Sequence, residues 1–309
     1  MKKHWENSEI EKLYELASKE NMTWKKIAEY FDVSIDSVRK TFKRYLEKVK
    51  DESKGPKILV LDIETAPMLT YLWRLYDQVN DIKQIEEDWF VLSWSARWLG
   101  QGEVMYADQR YQKDLENDRD LMIKIRDLLD EADIVLTHNG VSFDSKKLNT
   151  RFLFHKIKPP SSYKQIDTYL IAKKHFCLTS NKLEYLAELL GVEHKKLKHQ
   201  KFAGLELWRQ CLYKNMEAFE EMERYNINDV LALEDVYNRL AAWDNSIHFD
   251  VYNDEIVRRC NCGCSELEPK GYHYTKKGKY QKYICKDCGK EHRDSENLHS
   301  KEKRKSLLV

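Results

Sequence analysis

Between residues 8 and 48, apolar side chains recur every three or four positions, the period of an amphipathic helix. Ser8 with Glu11 forms a capping-box pattern, and Ile10, Leu13, Leu16 and Ala17 mark one face of the helix that would follow. Thr23 can cap a second helix with Ile27, Ala28 and Phe31 inward. Asp32, Val33 and Ser34 make a turn, and Ser34 can cap a third helix. Its inward positions are Ile35, Val38, Phe42 and Tyr45; its outward positions are Arg39, Lys40, Lys43 and Arg44. The pattern thus predicts a small all-helical domain over residues 1–50. The stretch VKDESKGPK, residues 49–57, is charged, carries Gly55 and Pro56, and reads as a linker.

From residue 57 the pattern changes. KILVLDIET is an apolar run of strand length, and WFVLSWSARWLG and EVMYAD predict two further strands. DRDLMIKIRDLLDEA has a helical period, DIVLTHN is a strand, and FDSKKLNTRFLFH is helical again. QIDTYLIAKKHF begins as a strand end. NKLEYLAELLG and MEAFEEMERYNINDVLALEDVYNRLAAW are helices. Strands first and helices later, with one α/β alternation, predict an α/β domain over residues 56–245: a mixed sheet flanked by helices. From about residue 256 paired cysteines surround a basic, tyrosine-rich middle, to about residue 295. Residues 296–309 form a charged tail expected to lack structure.

Composition narrows the classes. The chain has 309 residues, 42% hydrophobic and 34% charged, enough for one sizeable core beneath a charged surface. The net charge is +1, so any basic footprint for nucleic acid must be local. No apolar run approaches the length of a membrane span and the N-terminus has no signal-peptide core, so a cytoplasmic protein without a membrane is expected. Of seven cysteines, five lie between Cys260 and Cys288, which suits a metal site in a reducing compartment rather than a disulfide framework.

The chemistry begins in ILVLDIETAP, where Asp62 and Glu64 close an apolar run. Residues two apart on a strand share a face, so two carboxylates project side by side. Burying both is tolerable only if one is protonated or a cation sits between them; the alternative on this stretch alone is a strand that has simply reached solvent. In THNGVSFDSKKL, Asp144 follows a strand end at His138 and Asn139, with Gly140 at the turn and Phe143 as an apolar anchor. In YNINDV, Tyr225 and Asp229 are four apart and share a helix face. Four carboxylates from three segments can then surround one point. Hard divalent cations such as Mg²⁺ or Mn²⁺ take oxygen ligands of this kind, and a pair of them suits in-line phosphoryl displacement.

The ordered set LDIET, HNGVSFD and YNIND resembles the DEDD superfamily of 3′→5′ exonucleases, over about residues 56–245. The resemblance implies a ribonuclease H-like fold and two Mg²⁺ or Mn²⁺ ions. It implies Asp62, Glu64, Asp144 and Asp229 as their ligands, with Asp62 bridging, and Tyr225 orienting the attacking water. The spacing looks like the tyrosine subgroup; a histidine subgroup would need His where Arg224 stands. Asn139 and Phe143 fit the family's substrate-side and packing positions less specifically. The N-terminal segment resembles helix-turn-helix modules, with Arg39, Lys40, Lys43 and Arg44 as the nucleic-acid contacts. The alternative there is a small bundle with a solvated charged face.

CKDCG places Cys285 and Cys288 on a zinc knuckle, with Gly289 turning the backbone. The upstream half is CNCGC, one residue short of the usual spacing. Cys260 and Cys262 are the favoured ligands, leaving Cys264 as a substitute or a bystander and His273 as a weaker candidate. The segment resembles a zinc ribbon with one structural Zn²⁺. Its Tyr272, Tyr274, Tyr280 and Tyr283 alternate with lysines, a mixture that suits base stacking with phosphate attraction and equally a hairpin with one solvated face.

These readings combine into a metal-dependent 3′→5′ exonuclease. DNA is the leading substrate, as single-stranded 3′ ends or duplex, with RNA left open. The setting implied is replication, repair or recombination, in a phage or mobile element. The competing readings are a structure-specific endonuclease on the same centre and a non-catalytic DNA-binding regulator.

Overall fold

The computed structural model describes residues 9, 12–13, 16, 24–41, 55–74, 76, 79, 81–195, 197 and 201–308. The chain divides into two compact units, Met1–Gly55 and Pro56–Val309.

In the first unit, helix α1 spans Trp24–Tyr30, and residues 35–41 are helical again. Leu13, Leu16, Ile27, Ala28, Phe31 and Val38 form its core. Ser34 caps the second of these helices, its Oγ accepting from the backbone N–H of Ser37 at 3.2 Å. Ile35, expected inward, is 39% exposed. It lies in the first turn, and Val38, three residues on, is the position that reaches the core. Arg39 and Lys40 are exposed, whereas Lys43 and Arg44, with Phe42 and Tyr45, lie outside the described residues.

The second unit begins with β1 (Ile58–Thr65), β2 (Leu69–Thr70), β3 (Ile85–Glu87), β4 (Val91–Trp98) and β5 (Gln101–Asp108). Next come α2 (Arg119–Glu131), β6 (Ile134–Thr137), α3 (Asp144–Phe154), β7 (Lys164–Asp167) and α4 (Thr168–His175). The helices α5 (Leu183–Leu189), α6 (Leu205–Leu212) and α7 (Met216–Leu240) complete the α/β part. The main sheet has the order β5-β4-β1-β6-β7. β1 pairs antiparallel with β4 and parallel with β6, so the sheet is mixed.

Helices cover both faces of β1, which is why its sequence is apolar without alternation. Ile58 and Val60 join a core with Val230, Leu233 and Val236 of α7. Leu59, Leu61 and Ile63 face the other way, onto Leu121 and Ile125 of α2 and Leu148 and Phe152 of α3. Asp62 and Glu64 continue the Ile58–Val60 face, by the two-residue period, onto the α7 side of the sheet. β6 pairs only with Ile58, Leu59 and Val60, so β1 runs on beyond its parallel neighbour and opens a gap at its C-terminal end.

The ribbon of β2 and β3 follows β1 directly and was not anticipated from the sequence. The segment joining them carries exposed Tyr71, Trp73, Tyr76 and Val79. The cysteine segment forms a three-stranded sheet from β8 (Leu267–Tyr274), β9 (Lys279–Cys285) and β10 (Glu291–Arg293), in the order β10-β9-β8. Buried Lys290 donates to the carbonyl oxygens of Ala241, at 3.4 Å, and Asp244, tying this sheet to the C-terminal end of α7. A cation there complements the helix dipole and satisfies terminal carbonyls. The tail, expected to lack structure, contains a short helix α8 (Lys301–Lys305), capped by Ser300, whose side chain accepts from the Lys303 N–H. A local serine cap decides there against a purely compositional expectation. No helix among the described residues is long and apolar enough to cross a membrane.

Candidate active site

Asp62, Glu64 and Asp229 each place a carboxylate oxygen within 4.8 Å of the others. Asp62 and Glu64 come from the end of β1, and Asp229 from the middle of α7, where it is 4% exposed. Charges about 4 Å apart at an effective dielectric near 20 repel by about 4 kcal/mol a pair, so this arrangement calls for a cation. The donor set fits a hard divalent ion, because every donor is a carboxylate oxygen and Mg²⁺ with bonds near 2.0–2.1 Å holds its ligand oxygens within about 4.2 Å.

Neighbouring side chains orient two of these groups. The indole Nε1 of Trp208, on α6, donates to Glu64 Oε2 at 3.0 Å. The Asn226 amide Nδ2 donates to Asp62 Oδ2 at 2.6 Å. Tyr225 lies one turn before Asp229 on α7, buried, with its ring edge-on to Trp208 at 6.1 Å between centroids. A groove of about 460 Å³, lined by Thr65, Ala66, Pro67, Gly204, Leu205 and Trp208, abuts this side of the cluster.

Asp144 is set back. It heads α3 and is 4% exposed, but it does not share the 4.8 Å cluster of the other three. Its Oδ1 accepts from the Ile63 N–H at 3.2 Å, at the gap where β1 outruns β6. Burial pushes this carboxyl up to about 7; backbone N–H bonds oppose the shift, and the nearby charge of Asp167 adds to it. The carboxyl therefore keeps its proton below neutral pH, and a nearby cation would favour its charged form.

Asp167 organises the loop before Asp144. It ends β7 and caps α4, its Oδ1 accepting from Tyr169 N–H at 3.0 Å. Across the loop the same carboxylate accepts from the backbone N–H groups of Asn139 and Val141, at 2.8 and 3.2 Å. Asn139 is held at a φ of 65°, with its side chain exposed. At Gly140 an added Cβ would lie 2.3 Å from Thr137 Oγ1, so the loop closes only with glycine. Phe143, expected as an apolar anchor, is instead 40% exposed. The Lys147 ammonium lies 5.6 Å from its ring centroid and 3.5 Å from that of Trp89, so the two rings and the lysine form a surface group beside the loop.

In the cysteine segment, Cys260, Cys262, Cys285 and Cys288 place their sulfurs within 4.8 Å of one another. Cys260 and Cys288 are 3.4 Å apart, and Cys262 and Cys285 3.6 Å. The edge of a tetrahedron with Zn–S bonds near 2.3 Å is about 3.8 Å, so the set fits zinc. Cys264 stands outside it, its sulfur 3.3 Å from the Glu266 N–H, and His273 lies within β8 opposite Tyr280. Burial raises the Cys285 thiol, but the backbone N–H groups of Cys288 and Asp287, together with the thiols of Cys262 and Cys288, bring the group down to about 7. On the ribbon, Tyr272 and Tyr274 are exposed, with Lys279 3.9 Å from the Tyr272 ring centroid. Arg258 donates to the Tyr283 hydroxyl at 2.7 Å, and Arg293 lies 4.5 Å from the Tyr280 ring centroid.

Residues 91–241 match the family model RNase_H_2, of the RNase_H superfamily. That match spans just under half of the chain, and the five-stranded mixed sheet flanked by helices is consistent with a ribonuclease H-like fold. The match takes in Asp144, Tyr225 and Asp229; Asp62 and Glu64 lie before it on β1, the strand paired with β4. A similar solved structure is the family B DNA polymerase from the hyperthermophilic archaeon Pyrobaculum calidifontis. The similarity has a TM-score of 0.45 and 16% identity, and covers 60% of this chain and 25% of that one. The chain thus spans about a quarter of the polymerase. No curated protein matches it.

Trp208, Asn226 and Asp167 are the site residues that sequence reasoning missed. Asn226 had a signal, since it sits inside YNIND on the buried face of a helix. Asp167 also had one, an Asp-Thr pair where a strand meets a helix. Trp208 had none, because its partner Glu64 is 144 residues away.

Proposed function

We propose that this protein is a metal-dependent 3′→5′ exonuclease acting on DNA. The observation that carries this reading is the meeting of Asp62, Glu64 and Asp229 within 4.8 Å, inside a ribonuclease H-like domain, with Tyr225 one turn from Asp229. Asp62, Glu64 and Asp229 would hold Mg²⁺ or Mn²⁺, with Asp144 at the edge of a two-ion site. Such ions stabilise the charge that develops on a phosphodiester during in-line displacement.

The chain's own residues supply the rest. Trp208 holds Glu64 in place. Tyr225 orients the attacking water, and Asp167 pins the loop that leads to Asp144. Asn139, exposed at a positive φ beside that loop, meets the substrate strand. Cys260, Cys262, Cys285 and Cys288 hold one structural Zn²⁺. In the N-terminal unit, exposed Arg39 and Lys40 carry part of the DNA contact.

The test is incubation of the purified protein with 5′-end-labelled single strands in Mg²⁺ or Mn²⁺, beside Asp62→Ala. A ladder shortening from the 3′ end, lost in the variant, is the expected result. Internal fragments would make the protein an endonuclease on the same centre. No cleavage by folded wild-type protein, or wild-type turnover by Asp62→Ala, would overturn the reading.

A further inference from the structure

We infer that Asn226, anchored by Ser93, is a positioning residue that holds the Asp62 carboxylate for a divalent cation. The inference rests on the reading of Asp62 as a metal ligand. Asn226 and Ser93 are both 0% exposed, so their polar atoms must be satisfied within the protein. The Asn226 Nδ2 donates to Asp62 Oδ2 at 2.6 Å and lies 3.4 Å from the Asp62 carbonyl oxygen. Its Oδ1 accepts from the Ser93 hydroxyl at 3.1 Å.

Asp62 sets the direction of both bonds, because an ionised carboxylate can only accept. An amide turned over would present its oxygen to the carboxylate and repel it. With the NH₂ group on the Asp62 side, the amide oxygen faces Ser93, whose hydroxyl donates to it and anchors the amide there. Ser93 occupies β4 directly opposite Glu64, so the chain Ser93–Asn226–Asp62 joins β4, α7 and β1 where the acidic cluster forms.

The chemistry of the donor matters as much as its place. A lysine or arginine at this position would also bind Asp62, but it would cancel the charge that draws a cation. A neutral amide fixes one carboxylate oxygen and leaves the negative charge intact. Asn226 lies three residues before Asp229, so one helix face presents both a ligand and the group that orients another ligand. A buried asparagine serving only to satisfy the core would affect folding stability and leave cation affinity unchanged.

The experiment measures the Mn²⁺ dissociation constant of the full, zinc-loaded chain by electron paramagnetic resonance, with a thermal melt of each protein. The variants are Asn226→Ala, Ser93→Ala, Asp62→Asn and the double variant Asp62→Asn/Asn226→Ala. Groups that orient a metal ligand are typically worth 10–100-fold in affinity. Asn226→Ala is expected to weaken Mn²⁺ binding by about that factor, and Ser93→Ala to weaken it less. In the Asp62→Asn background, the loss of Asn226 should cost little further, because the carboxylate that it positions has gone. Wild-type affinity in folded Asn226→Ala, or the full additional loss in the double variant, would overturn the inference. Should Asn226→Ala not melt cooperatively, Ser93→Ala decides, and wild-type affinity there overturns it equally. If Asp62→Asn itself binds Mn²⁺ as the wild type does, it is the metal-site reading that fails.

Discussion

The most quantitative consequence of the structure concerns Asp144. It is 4% exposed, and burial raises its carboxyl to about 7. In an unfolded chain an aspartate titrates near ~3.9, so the difference is about 3 units, or about 4 kcal/mol as an upper limit. The sign follows from proton counting. Below about pH 4 both states hold the proton, and the group makes no difference. Between about pH 4 and 7 the folded state keeps a proton that the unfolded state releases, so stability falls as pH rises. Above about pH 7 the loss is complete. Asp144→Asn retains an oxygen that can accept from the Ile63 N–H but carries no charge at any pH. In urea melts from pH 4 to 8, without added Mg²⁺ or Mn²⁺, the variant should match the wild type at the acid end. Its advantage should then grow towards the alkaline end, up to about 4 kcal/mol. Added Mn²⁺ should stabilise the wild type more than the variant, since a cation can take the proton's place. A gap that is constant with pH, or that shrinks as pH rises, would refute the argument.

Tyr225→Phe keeps the ring beside Trp208 and loses only the hydroxyl, so single-turnover cleavage should fall by about 10²–10⁴ without complete loss; an unchanged rate would remove Tyr225 from the mechanism. Cys285→Ser breaks the four-sulfur set, and zinc content measured by atomic absorption should drop while the β8–β10 sheet loses amide protection against hydrogen exchange. Deleting residues 1–50 should flatten the salt dependence of DNA binding, by about 0.9 in slope for each duplex phosphate no longer neutralised, with turnover at saturating substrate little changed. Filter binding across a salt series checks this, and a wild-type slope in the truncated protein would assign those helices another role.

The sequence by itself determined what lies within single elements. The two-residue period of a strand put Asp62 and Glu64 on one face, and the helical period did the same for Tyr225 and Asp229. It placed the strands of the main sheet, the long helices and the Ser34 cap, though not the β2–β3 ribbon, because hydrophobic period and capping chemistry act over a few residues. Tertiary structure decided whatever depends on distances between elements. Packing α7 across β1 brought Asp229 to Asp62 and Glu64, and the early end of β6 turned Asp144 to the Ile63 N–H rather than into that cluster. It settled which of the crowded cysteines come together, because sulfur positions depend on how two turns face each other and not on their spacing alone. It also showed Phe143 at the surface and Trp208 on Glu64. No period links positions 144 residues apart; only the packed core puts them side by side.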